Sequence, residues 1–155
     1  VLASIIRERL HKKPWLQASP SVAHIHVRAG DGIVGPNCFY NRSDCLISRS
    51  GYVYSRDKTY FESLNIPHMP LIVHASTRHH TAHSRGAPHQ KKYITDVLSY
   101  LSAIGPVVPK INFSIDESFI ELATSCNQFI TGGGFGKLAQ ALARHHFCST
   151  KEVGL

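Results

Sequence analysis

Residues 24–31, "HIHVRAGD", place two imidazoles, a guanidinium and a carboxylate within one short segment. His24 and His26 alternate with Ile25 and Val27, the period-two pattern of a strand with a buried face. Gly30-Asp31 fits a turn at its end. A guanidinium at a strand end suits an anion, because its planar fork matches two phosphate oxygens at once. Asp31 either orients Arg28, caps the following segment, or pairs with Arg28 in a purely structural ion pair. His24 and His26 share one face of the strand. Each is read either as a core histidine or, for His26 above all, as part of a site.

A second stretch, "ITGGGFGKLAQALA" from Ile130 to Ala143, runs from an apolar segment through glycines into strong helix formers. Glycines let a phosphate approach the backbone, and a helix N-terminus offers free N–H groups and partial positive charge. The Walker pattern GxxxxGK[ST] is absent, since Leu138 follows Lys137. A tight turn that brings helix and sheet close together is the structural alternative. Thr131, Gly132, Gly133, Gly134 and Phe135 are the candidate anion-binding residues here.

The surrounding elements must position these groups. Residues 1–13 read as an amphipathic helix, with Leu2, Ile5, Ile6 and Leu10 at helical spacing before Pro14. Strands are expected at 21–30, 69–77, 107–114 and 127–131, the third on a sheet edge or with a bulge because of Pro109. Helices are expected at 55–65 (capped by Ser55), 91–105 and 116–126, and 132–146 reads as a glycine-rich turn running into a last helix. Residues 31–55 read as a long irregular loop, a length usually associated with function or mobility. Residues 78–90 read as a polar, His-rich loop. The alternation predicts an α/β fold, a Rossmann-like parallel sheet with helices on both faces. Right-handed crossovers bring every strand-to-helix loop to the carboxyl edge, where open α/β sheets bind ligands. That edge collects His26, Arg28 and Asp31, then His74, Ser76, Arg78 and His79, then Ser114 and Asp116, then the glycine turn. The expected organisation is an N-terminal helix and linker (1–20), a single nucleotide-binding lobe (21–148) and a tail (149–155).

Composition narrows the class. The chain has 155 residues, 43% hydrophobic and 17% charged, which fits one folded domain. A formal charge of +7, with 11 histidines besides, favours phosphorylated or polyanionic ligands. The basic residues are scattered, without a Lys/Arg stripe among aromatics, so direct nucleic-acid binding is not expected. No apolar run reaches the roughly 18–20 residues of a membrane helix. The start has neither a Met nor a signal-peptide pattern, so we expect a processed chain or a piece of a longer one. Cys38, Cys45, Cys126 and Cys148 form no CxxC, which argues against structural zinc. Cys38 and Cys45 bracket a loop-like stretch and are a candidate disulfide. Asn41-Arg42-Ser43 and Asn112-Phe113-Ser114 are glycosylation sequons; with the candidate disulfide they lean towards a secretory compartment. His79, His80 and His83 raise a metal alternative, but no acid or cysteine accompanies them, and no metal is expected. GxSxG and HExxH are absent, which argues against the corresponding hydrolases.

"HIHVRAGD" resembles the H-x-R-x-x-D strand motif of the α1,2-, α1,6- and protein O-fucosyltransferases. "FIELATSCNQFITGGGFGKLAQALA" resembles the later motif of the same superfamily, in the right order and about a hundred residues on. The resemblance spans roughly residues 20–145 and implies the nucleotide-binding lobe of a GT-B glycosyltransferase. It implies a GDP-fucose-type donor, with Arg28 on the β-phosphate, His26 against the nucleotide, and Thr131 to Phe135 closing over the diphosphate. It implies no metal cofactor, a glycan or protein acceptor, and the Golgi lumen; a cytoplasmic or organellar complex is the alternative. Three departures stand out. Ala29 replaces a second basic residue, "HASTRHH" lacks the acids that hold the nucleoside, and only about 20 residues precede the first motif. An inactive lobe serving as an assembly subunit, with other chains supplying the missing lobe, is therefore the second expectation. Arg28 and Asp31 are the catalytic candidates. Ser76, Arg78 and Asp116 join the donor-binding set.

Overall fold

The computed structural model describes residues 1–29, 33–45, 49–51, 55–76 and 87–148. Four strands, β1 (Ala23–Val27), β2 (Leu71–Ala75), β3 (Val107–Ile111) and β4 (Gln128–Ile130), form one sheet in the order β3-β2-β1-β4. Every pairing is parallel, with His26 opposite His74 on one side and Ile130 on the other. Among the described residues five α-helices accompany them: α1 (Leu2–Lys12), α2 (Lys58–Ser63), α3 (Ala87–Ser102), α4 (Ile115–Thr124) and α5 (Gly134–Leu142). This is the expected Rossmann-like α/β sheet.

The strand alternation sorts the sheet into two unlike faces. Ala23, Ile25 and Val27 of β1 and Leu71, Val73 and Ala75 of β2 face one way. They pack against Phe61 of α2 and Tyr93, Ile94, Val97 and Leu101 of α3. The opposite face carries His24, His26, Ile72 and His74, because side chains one residue apart point to opposite sides. Helices cover that face too: Ile6, Ile120, Leu122, Ala123 and Ala139 form a second core from α1, α4 and α5. His24 and His74 therefore lie buried under helices, while His26 is half-buried. Such burial is costly unless their ring nitrogens find partners.

Local departures from expectation have identifiable causes. β1 is shorter than 21–30, and β3 ends at Ile111, followed by Asn112 with φ of 59°. β3 pairs only with β2, so Pro109 removes no ladder bond on the open side. Asp57, not Ser55, caps α2, its carboxylate accepting from the Tyr60 N–H at 3.1 Å. The Ser55 hydroxyl donates instead to the Arg28 carbonyl at 3.0 Å. α3 begins four residues before the expected start at 91. Ser114 caps α4, its side chain accepting from the Glu117 N–H. α5 ends at Leu142 and is continued by a π-helical turn, Ala143–Phe147.

The stretch read as a long loop contributes, in its described part, Ile33, Cys38, Phe39 and Cys45 to the core, while most of its other described residues are exposed. Phe39 is fully buried, with edge contacts to Phe61 and Tyr93. Ile33 bridges Cys45, and Cys38 and Cys45 form the expected disulfide. A second disulfide, Cys126–Cys148, joins the start of β4 to the end of the π turn. The sequence gives no local spacing for it, since the two cysteines meet only once α5 folds back along β4. With no free cysteine remaining, iodoacetamide under denaturing, non-reducing conditions is expected to label none of the four. Intact mass spectrometry reads this directly, and labelling of any cysteine would contradict the pairing. Among the described residues no helix is long and apolar enough to cross a membrane.

Candidate functional site

A cavity of about 320 Å³ opens at the carboxyl edge, lined by His26, Arg28, Ala29, Ser76, Gly133 and Phe135 among others. Its size is that of a small-ligand pocket. β1 delivers His26 and Arg28, the end of β2 delivers Ser76, and the β4–α5 turn supplies the opposite wall. The side-chain hydroxyl of Thr131 fixes the two halves: the Arg28 N–H donates to it at 3.0 Å, and the Thr131 N–H donates to the His26 carbonyl at 3.1 Å. Thr131 is buried and so ties β1 to the turn from behind the cavity.

The turn itself requires glycine. Gly133 has φ of 85°, a conformation that L side chains rarely adopt, and it stands at the N-cap of α5. A Cβ there would lie 3.5 Å from Arg28 Nη1, so the guanidinium rests against the bare backbone of the turn. α5 has no side-chain cap, which leaves its first N–H groups pointing at the cavity mouth. Gly136, one turn later, lies close to β4: a Cβ would sit 2.6 Å from Ile130 Cγ2 and 2.9 Å from His26 Nδ1. Gly136→Ala is therefore expected to lift α5 from β4 and destabilise the fold by about 1–3 kcal/mol. Urea denaturation with an unchanged m-value is the measurement. A midpoint at the wild-type position would show that the helix has room to spare.

His26 lines the cavity. Its ring packs against Phe135, centroids 5.4 Å apart, and its Nδ1 is buried towards Gly136, with no hydrogen-bond partner among the described residues. Burial, with the Arg28 charge beside it, pushes its pKa down to about 4. At neutral pH it is therefore an uncharged donor and acceptor. The positive field comes from Arg28 and the helix N-terminus.

The structure thus gathers His26, Arg28, Ser76, Gly133, Gly134 and Phe135 around one cavity. Thr131 and Gly132 form the turn behind it. Asp116 stands elsewhere: in the first turn of α4 it lines a separate cavity with Arg9 and Lys13. Asp31 and Arg78 lie outside the described residues, as do His79, His80 and His83. Compared with known proteins, the chain matches no family model, no curated protein and no solved structure.

Arg56 was not singled out by the sequence. Its Nε–H donates to the Thr131 carbonyl at 3.2 Å, and its guanidinium stacks 4.5 Å over the Tyr60 ring. Together with Arg42 and Tyr60 it lines a neighbouring cavity of about 410 Å³. A second guanidinium therefore grips the glycine turn from the far side. Nothing in the periodicity around residue 56 marks it. The one signal is the S-R-D triplet before α2, where Ser55 and Asp57 both have backbone partners to satisfy.

Proposed function

We propose that this lobe binds the diphosphate of a nucleotide sugar, of the GDP-fucose type, in the cavity between β1 and the glycine turn. One observation carries the proposal: the Arg28 guanidinium lies against the Gly133 backbone at the uncapped N-terminus of α5. A diphosphate there would accept from the guanidinium fork and from the first N–H groups of α5 together. His26 would add a neutral hydrogen bond, and Phe135 an apolar wall. The resemblance of the two motifs to fucosyltransferases supports the choice of a sugar nucleotide over other phosphates.

In the transfer this implies, an acceptor hydroxyl of a glycan or protein attacks the anomeric carbon. The bond from that carbon to the β-phosphate oxygen breaks, the acceptor proton passes to a base, and the nucleoside diphosphate leaves with the extra charge. Fixed positive groups aimed at that oxygen stabilise the transition state without a metal. Of the two acids the sequence places near the carboxyl edge, Asp116 lines a separate cavity and Asp31 lies outside the described residues, so no base is assigned. The two disulfides fit an oxidising compartment such as the Golgi lumen.

A second reading, a donor-binding lobe without transfer that serves as a subunit of a larger assembly, has its own support. No carboxylate is among the described residues lining the cavity. Calorimetric titration with GDP, GDP-fucose, UDP and ADP tests the binding. Tightest binding by the guanosine diphosphates is expected, and absence of binding by all four would overturn the proposal. Release of free fucose from GDP-fucose would favour the transferase over the binding lobe.

A further inference from the structure

The other end of the polar sheet face holds a separate cluster. His24 Nδ1 lies 3.0 Å from His74 Nε2, and Glu121 Oε2 of α4 lies 3.7 Å from the same His74 nitrogen. All three side chains are buried. Lys110 of β3 holds Glu121 through Oε1, while Oε2 has no hydrogen-bond donor among the described residues. A buried carboxylate oxygen without a donor is costly and calls for a partner. A cavity of about 190 Å³, lined by Trp15, Ala18, His24, Lys110 and Glu121 among others, gives access.

We propose that His24, His74 and Glu121 bind one divalent transition-metal ion of the zinc class, entering through the cavity beside Trp15. Two imidazoles and a carboxylate are a donor set zinc commonly takes, with room for water as fourth ligand. At zinc distances of about 2.0–2.2 Å, tetrahedral ligand atoms stand roughly 3.3–3.5 Å apart. The three atoms here fall within 4.8 Å of one another, so closure takes about an ångström of side-chain movement. Lys110 then has the role of an outer partner, fixing the carboxylate through Oε1 while Oε2 faces the ion. The ion takes Nδ1 of His24 and Nε2 of His74, and the ring proton between them moves to the far nitrogen of its own ring. The ligands come from β1, β2 and α4, so the ion would clamp α4 to the sheet. The site is distinct from the diphosphate cavity, lying two residues earlier along β1.

Trp15 is the only tryptophan in the chain and reports on the cavity. Co²⁺ titration of the metal-free protein is expected to quench Trp15 emission at one equivalent and to give the visible absorption of a four-coordinate nitrogen–oxygen site, reversed by Zn²⁺. The same result is expected from the triple variant His79→Ala, His80→Ala, His83→Ala, which removes the competing loop imidazoles. His74→Gln and Glu121→Gln should each weaken binding at least tenfold. No cobalt signal in the wild type, its loss in the triple variant, or its survival in both site variants would overturn the proposal. Should a site variant not fold, nitrogen-15 histidine spectra of the triple variant decide. Two buried rings shifting on Zn²⁺ addition support the site, and unshifted buried rings refute it.

Discussion

Arg28→Ala is expected to weaken nucleoside-diphosphate binding by roughly 30- to 1,000-fold, about 2–4 kcal/mol, the range for losing a charge-assisted partner of a phosphate. The wild-type arginine rests on the Gly133 backbone, so the substitution removes positive charge from the point where the turn and α5 direct their N–H groups. The fold itself should tolerate it. The Arg28 backbone N–H still donates to Thr131, and the Arg28 carbonyl still accepts from Ser55. Arg28→Lys keeps the charge but loses the two-pronged geometry, and should recover only part of the affinity. Calorimetry on the wild type and both variants measures this. Equal GDP affinity in the wild type and Arg28→Ala would place the diphosphate somewhere other than this cavity.

In metal-free protein kept in chelator, stability is expected to fall steeply below about pH 6.5. Burial is the main cause that pushes His24 and His26 down to about 4 and His74 to about 3. The Lys110 charge adds to the effect at His24 and His74, and the Arg28 charge adds to it at His26. All three rings are neutral in the native state at a pH where the unfolded chain protonates them, so unfolding takes up protons as the pH drops. The contribution is complete above pH 6.5 and is lost progressively down to the native pKa values. Three such groups together remove about 4–6 kcal/mol by pH 5, comparable with the whole stability of a small domain. Urea midpoints between pH 8 and pH 5 give the slope. A flat profile over that range would mean that the rings are already charged or solvated in the native state.

The fold was legible because its signals are local. The Leu71-Ile72-Val73 run, the α3 periodicity from Tyr93 to Leu101 and the strand–glycine–helix succession at 130–143 each identify an element from neighbouring residues. Their alternation then leaves one sheet topology class. Half of the site was legible for the same reason: His26, Arg28 and the glycines each sit at an element boundary that the sequence marks. What escaped depends on contacts between distant segments. Arg56 reaches the turn only because Ser55 anchors to the end of β1. Cys126 and Cys148 meet only through the return of α5. His24, His74 and Glu121 are brought together by strand register and helix docking, which no spacing encodes. Phe39 was hidden by its glycine-, asparagine- and serine-rich surroundings, although its own burial needs only a fold-back over α2 and α3.

The Cys126–Cys148 link closes a covalent ring across a sequence separation of 22. That ring encloses β4, the glycine turn and α5 entire, so one wall of the cavity beside Arg28 is a tethered unit with its two ends held together. A reductant would release the ring, and the helix whose N-terminus faces the cavity could then peel away from its Cys148 side. In an oxidising environment the cavity wall comes away from the sheet as a whole or stays in place.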